Sequence, residues 1–265
     1  MKCYDFWYDG LKLSDFGFMI CSFDSGGTDT ISNGSEITFN QVSVLNGAKQ
    51  ELTSVQYDDC ITATIQICKN LCNGDNLEVS VEEMRNIMAW LNRKGFHKFK
   101  LVDDEYSNVY LEASFNVSKV EIGGKICGFE LEMTTNRPFS LMEPVEMTIE
   151  NDVPGKVHAF FSKSDEEGYI YTNMEITIKD AGNLDIYSIT EDRHMIVNNC
   201  VSGEVITVNY PIIQTSLPDS HKIQNDFNWV FYRVSTSFKN KENEFTASLP
   251  CSIKIKYSPI VKIGI

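Results

Sequence analysis

Residues 80–95 read SVEEMRNIMAWLNRKG, the one stretch of this 265-residue chain written with helical spacing. Ser80 followed three positions later by Glu83 forms a capping box, in which each side chain satisfies the other residue's free backbone N–H. Val81, Met84, Ile87, Met88 and Leu91 recur on one helical face. Arg93 and Lys94 stand at the negative end of the helix dipole, and Gly95 is placed to close the helix. The pattern predicts one α-helix over about residues 80–93, laid against a sheet.

On both sides of this stretch the period changes to two. EITFNQVSV, SVQYDDCITATIQIC, KFKLVDD, VYLEASFNVSKVEI and KICGFELEMTT alternate apolar and polar residues between Gly, Asn and Asp clusters, which predicts strands joined as hairpins. The opening MKCYDFWYDGLKLSDFGFMICSF has the look of an address label, but Asp5, Asp9 and Asp15 interrupt each apolar window and no small-residue cleavage site follows. No window approaches the roughly 20 apolar residues of a membrane span, so no membrane insertion is expected. The opening reads as a strand with Tyr4, Phe6 and Tyr8 on one face and Cys3, Asp5 and Trp7 on the other, an Asp9-Gly10 turn, and a second strand.

TTNRPFSLMEP, residues 134–144, holds two of the seven prolines and no periodicity. It suggests a first domain over 1–136, a linker over 137–144 and a second domain over 145–265. The second domain is strand after strand (VEMTIE, YIYTNMEITIK, NLDIYSI, HMIVN, GEVITVNY, NWVFYRVS, CSIKIKYS) with no further helix signal, which predicts a β-sandwich.

A net charge of −14, from 23 Lys and Arg against 37 Asp and Glu, leaves no basic stripe. That excludes a sequence-specific nucleic-acid binder and makes the acidity a solubilising surface. Eight cysteines, at 3, 21, 60, 68, 72, 127, 200 and 251, contain no C-x-x-C, and Cys68-x3-Cys72 has no second pair to complete a zinc tetrahedron. They read as reduced core residues of a protein made in a cytoplasm, in which case the sequons at Asn33 and Asn116 are idle.

Catalytic patterns fail one by one. Asp24-Ser25-Gly26 resembles an aspartic-protease turn but has no second copy, and Gly26 and Thr28 stand where an EF-hand needs carboxylates. His97, His158, His194 and His221 are too dispersed for a local ligand pair, and Asp103, Asp104 and Glu105 read as a solvated turn. Trp7, Trp90 and Trp229 read as interior packing; Trp229 lies in NWVFYRV, a run apolar on both faces that suits a buried strand. No catalytic residue, metal site or cofactor is expected. The competing reading is a carbohydrate-binding or glycan-processing sandwich whose glycan-facing aromatics are Tyr169, Tyr171 and Trp229. The carboxylate pair that glycoside hydrolysis requires is not assembled from strand positions.

Taken in order, FWYDGLKLSDFGFMICSF, the SVQYDDCITATIQIC stretch as a central hairpin, VSVEEMRNIMAWLNRKGFHKFKLVDDEYSNVYLEASF and GKICGFELEMTTNRPF resemble the first half of the siphophage distal tail protein family, often called Dit or siphovirus-type tail component. IENDVPGKVHAFF, YTNMEITIKDAGNLDIYSIT, NNCVSGEVITVNY, DFNWVFYRV and IKIKYSP resemble its second half. The resemblance implies a mainly β fold, with an N-terminal split β-barrel-like domain bearing one helix and a C-terminal galectin-like β-sandwich. It implies a hexameric ring, single or stacked, in the baseplate at the virion tail tip, made in the bacterial host cytoplasm. The partners it implies are further copies of the chain, the major tail tube protein, a tail-associated hub or lysin protein, and receptor-binding proteins or host cell-wall glycans. Such a subunit is structural, without catalysis, in a siphovirus or a prophage. Eight cysteines are many for such a protein.

Overall fold

The computed structural model describes residues 4–23, 37–43, 50–57, 60–70, 78–104 and 107–262. Two compact units divide between Leu141 and Met142, and the chain rejoins the first unit at Lys262.

The first unit contains β1 (Phe6–Tyr8), β2 (Leu11–Lys12), a 3-10 turn (Leu13–Phe16), β3 (Phe18–Cys21), β4 (Ile37–Ser43), β5 (Gln50–Tyr57), β6 (Thr62–Lys69), α1 (Val81–Leu91), β7 (His97–Leu101), β8 (Val109–Ile122), β9 (Lys125–Thr135) and β10 (Ser140–Met142). Its main sheet runs β2-β1-β7-β8-β9-β6-β3. Ile20 N in β3 donates to Tyr4 O just ahead of β1 at 2.9 Å, so the two ends of the sheet meet as in a split barrel. Phe6 and Tyr8 face the core while Trp7 faces water, the alternation that the sequence shows. Asp9 (φ 51°) and Gly10 (φ 80°) supply the two left-handed residues of the tight β1–β2 turn.

Helix α1 begins as its sequence predicts. Ser80 Oγ accepts from Glu83 N at 3.2 Å and Glu83 Oε2 accepts from Ser80 N at 2.8 Å. Its buried face is Ile87, Trp90 and Leu91; Val81, expected on that face, is 77% exposed. Trp90 stacks on Phe16 and Phe6, with ring centroids 4.4 and 5.8 Å away, and donates from Nε1 to Tyr8 O at 3.1 Å. This one bond pins the helix to β1. The helix ends at Asn92, three residues before Gly95, and Arg93 Nε caps Trp90 O at 2.7 Å.

One strand pairing differs from the expected hairpins. β5 and β6, the halves of SVQYDDCITATIQIC, belong to different sheets: β6 pairs with β3 and β9, and among the described residues β5 pairs only with β4. β8 and β9 do form a long hairpin across Gly123-Gly124. At Gly128 a Cβ would lie 2.1 Å from Ile67 O and 2.7 Å from Phe23 Cζ, so only glycine lets β9 pass that close to β6.

The second unit contains β11 (Val145–Asn151), β12 (Val157–Phe161), β13 (Gly168–Tyr171), β14 (Asn173–Ile178), β15 (Gly182–Ser188), β16 (Arg193–Cys200), β17 (Val205–Asn209), β18 (Ile212–Thr215), α2 (Ile223–Asp226), β19 (Arg233–Thr236), β20 (Glu242–Ala247), β21 (Cys251–Tyr257) and β22 (Ile260–Val261). A five-stranded sheet, β11-β21-β14-β17-β18, and a four-stranded sheet, β12-β20-β15-β16, form the two layers of a sandwich. Alternate residues fill its core: Met174, Ile176 and Ile178 from one sheet meet Leu184, Ile186, Met195 and Val197 from the other. β13 and β19 form a separate two-stranded ribbon. The four-residue helical turn α2 corrects the expectation of no second helix; it is too short to carry a helical period.

Candidate functional site

The ribbon β4–β5 pairs with no other strand among the described residues. Its register places Ile37 opposite Tyr57, Phe39 opposite Val55 and Gln41 opposite Leu52, so these residues share one face. Thr38, Gln56, Asn40, Ser54, Glu51 and the single apolar residue Val42 lie on the other, with Asn40 Nδ2 donating to Ser54 Oγ at 2.9 Å. The ribbon is therefore amphipathic, yet its apolar face is open: Phe39 is 58% exposed, Leu52 53% and Val55 50%. At its root Tyr57 meets an aromatic partner, Phe139, edge to face at 6.2 Å. An isolated two-stranded ribbon is marginal in water, so this arm is built to lie on something.

On the second unit the three aromatics singled out in the sequence occupy one connected array. Tyr169 meets Tyr171 edge to face at 5.6 Å, and Tyr171 lies flat on Tyr210 at 3.7 Å. Tyr210 then meets Phe231 at 5.2 Å, Phe231 meets Phe227 at 5.1 Å, and Phe227 meets Trp229 at 5.6 Å. Tyr169 and Trp229 are exposed, and Tyr171 is half-buried under Tyr210. The Arg233 guanidinium sits 3.6 Å above the Tyr169 ring and is held by Glu191 at 2.6 Å. Trp229 is not in a buried strand, contrary to the reading of NWVFYRV: it precedes β19, is 57% exposed and has φ 59°. Sequence reasoning missed Tyr210 and Arg233. The Asn209-Tyr210-Pro211 turn signal was the available clue for the first, and none exists for the second.

The histidines are structural. His97 meets the Tyr8 ring edge to face at 5.5 Å, His158 Nε2 contacts Asn151 Oδ1 at 2.9 Å, and His194 stacks on Tyr187 and contacts Asp185 at 2.9 Å. His221 Nδ1 approaches the fully buried Glu204 at 2.6 Å, and Asp226 lies 3.6 Å from its Nε2. Burial pushes the Glu204 carboxyl upward, but hydrogen bonds from Thr215 Oγ1, Val201 N and His221 outweigh it and hold the group below its ordinary range. The Thr215 hydroxyl donates to the carboxylate and not to the imidazole, so no activated nucleophile results.

Among the described residues six cysteines are free. Burial pushes the Cys200 and Cys251 thiols up to about 11, and burial together with the Cys68 thiol pushes Cys21 up to about 12. Such thiols are poor nucleophiles. Among the described residues no group of three His, Cys, Asp or Glu is placed to hold a metal. The Asp24-Ser25-Gly26 turn, the Asn33 sequon, Cys3, Cys72 and Glu105 lie outside the described residues. Trp90 is buried as expected, whereas Trp7 is 40% exposed beside an open concavity of about 510 Å³ that Asp103 and Asp104 also line.

A family model described as "Phage tail protein N-terminal domain" matches residues 1–137, and one described as "Phage tail C-terminal domain" matches residues 139–257. No curated protein sequence matches the chain. Among solved structures it is similar to the crystal structure of Dit (gp 19.1) from phage SPP1, described as a paradigm of the hub adsorption apparatus in phages infecting Gram-positive bacteria. The two share 10% identity, with a TM-score of 0.66 over 97% of this chain and 99% of that one, a likeness of fold.

Proposed function

Because the chain belongs to the phage tail protein family, we propose that it is the ring-forming distal tail protein of a siphophage, closing as a hexamer at the virion tail tip. In this reading one ring face receives the major tail tube protein and the other the tail-associated hub or lysin protein. The second unit points outward, toward receptor-binding proteins. Synthesis takes place in the bacterial host cytoplasm, and the subunit is an adaptor without catalysis.

The observation that carries the reading is the β4–β5 arm. Its apolar face is continuous and uncovered, and a head-to-tail contact that closes after six steps covers it six times without leaving a free end. A neighbouring copy is the natural cover, because rotational closure also removes exposed strand edges. The net charge of −14 suits a channel through which DNA must pass without being retained.

The test is the double substitution Phe39→Asp with Leu52→Asp. Both side chains are more than half exposed, so the folded monomer loses little, within about 0.5 kcal/mol per site. Each half-exposed apolar side chain is worth about 1 kcal/mol when covered, so four on the arm supply about 4 kcal/mol per contact, nearly three orders of magnitude in association. The variant is expected to keep the circular dichroism of the folded chain and sediment as a monomer. An unaltered assembly would remove the arm from the interface.

A further inference from the structure

The aromatic array of the second unit presents three rings to water: Tyr169 at 53% exposure, Tyr210 at 49% and Trp229 at 57%, while Phe227 and Phe231 beneath are buried. Surface aromatics ordinarily turn freely, but these are fixed. Trp229 is held in left-handed backbone that a bulky side chain rarely adopts. Its neighbour Asn228 clamps the loop: Oδ1 accepts from Ile196 N and Val230 N, both at 3.1 Å, and Nδ2 donates to His194 O at 2.8 Å. Tyr210 is backed by the flat stack on Tyr171, and Tyr169 by the guanidinium of Arg233 that Glu191 anchors.

We propose that this ridge is a saccharide-binding site for neutral, pyranose-containing glycans of the bacterial surface. Trp229 and Tyr210 are its stacking faces, Tyr169 with Arg233 forms its polar end, and Tyr171 is a positioning residue. A pyranose ring offers a C–H face to an aromatic plane and hydroxyls to the groups around it. A rigid, solvent-facing aromatic receives it without first losing rotamer freedom. The polar groups fixed beside the rings suit a neutral ligand: the Arg233 guanidinium is paired with Glu191, and Asn228 next to Trp229 is a carboxamide. The exposed rings are joined in series, Tyr169 through Tyr171 to Tyr210 and Tyr210 through Phe231 and Phe227 to Trp229, which suits a chain of sugar units better than the compact anchor of a protein partner. The left-handed residue Trp229 lies between Phe227 and Phe231, which both enter the sandwich core, and its turn carries the indole outward.

The test uses the full chain on a printed array of neutral and anionic bacterial wall and capsular saccharides. Signal on neutral pyranose glycans is expected, weakened about tenfold or more by Trp229→Ala and by Tyr210→Ala. Trp7→Ala, which removes an exposed indole of the first unit, leaves it unchanged. Thermal unfolding of each variant establishes that it is folded, and Tyr169→Ala stands in if either ridge variant is not. Absence of any saccharide signal overturns the proposal. So does signal confined to anionic glycans, signal that survives Trp229→Ala in folded protein, or loss of a protein contact as the only effect of the ridge variants. The site lies within the second unit, so a chain that fails to form a ring would still show the same pattern of losses, at lower avidity.

Discussion

Replacing Trp229 by alanine and, separately, by glycine separates what its ring contributes from what its backbone costs. With 57% of the residue exposed, less than half of the indole is buried. Full burial of a large apolar side chain is worth about 1.5–3 kcal/mol, so truncation should cost about 1 kcal/mol. That is well short of the 3–5 kcal/mol, roughly, of a core tryptophan. Alanine retains a Cβ at φ 59°, whereas glycine adopts that conformation freely, a difference of about 1 kcal/mol in favour of glycine. Glycine is therefore expected to melt above alanine by about 3–6 °C in a unit of this size. Differential scanning calorimetry reads this directly and avoids dependence on a fluorophore that the substitution removes. An alanine variant as stable as the glycine variant would refute the left-handed backbone, and a loss of about 3 kcal/mol or more in both would return Trp229 to the core.

Gly128→Ala forces a methyl group to 2.1 Å from Ile67 O in the middle of the β6–β9 ladder, and should destabilise the first unit by about 2–3 kcal/mol in denaturant titration; an unaffected midpoint would contradict that close approach. Glu204 has a folded-state carboxyl below its ordinary range, so its contribution is present above about pH 4.3 and is lost as pH falls through the folded value. Glu204→Gln should flatten this acid limb and cost about 1–3 kcal/mol at pH 7, and an unchanged limb would show that the carboxylate is not the group responsible. Limited proteolysis is expected to cut first at the exposed Asn136–Arg137 step and to release a C-terminal fragment of about 15 kDa; first cleavage inside the N-terminal half would misplace the domain boundary.

What the sequence made legible was local. The Ser80–Glu83 box is a three-residue interaction, and it marks the start of α1 correctly. The Asp9-Gly10 turn and the alternation of Phe6 and Tyr8 around Trp7 are equally local and equally plain. Strand partnership was not legible, because β5 and β6 follow each other in the chain yet β5 turns back on β4 while β6 pairs with the distant β9. Nor does an alternating run say what covers its apolar face. Phe39 and Val55 alternate as a core strand would, but the face they share stands in water in the single chain. At Trp229 the apolar run misled for a different reason: Asn228 accepts from Val230 N within the turn and from Ile196 N of β16, and bends the chain out of the strand that its neighbours favour. Tyr169 and Tyr171 were identifiable as aromatics in a strand, whereas their link to Trp229 runs through Phe227, Phe231 and Tyr210 and exists only in three dimensions.

The central claim is that copies of this chain close into a ring through the β4–β5 arm, and the native mass of the purified full-length protein at micromolar concentration tests it most directly. Sedimentation equilibrium in low and moderate salt is expected to give six times 30.1 kDa, about 181 kDa, or twice that for stacked rings. A mass of 30.1 kDa that persists across concentration in both salts would contradict it.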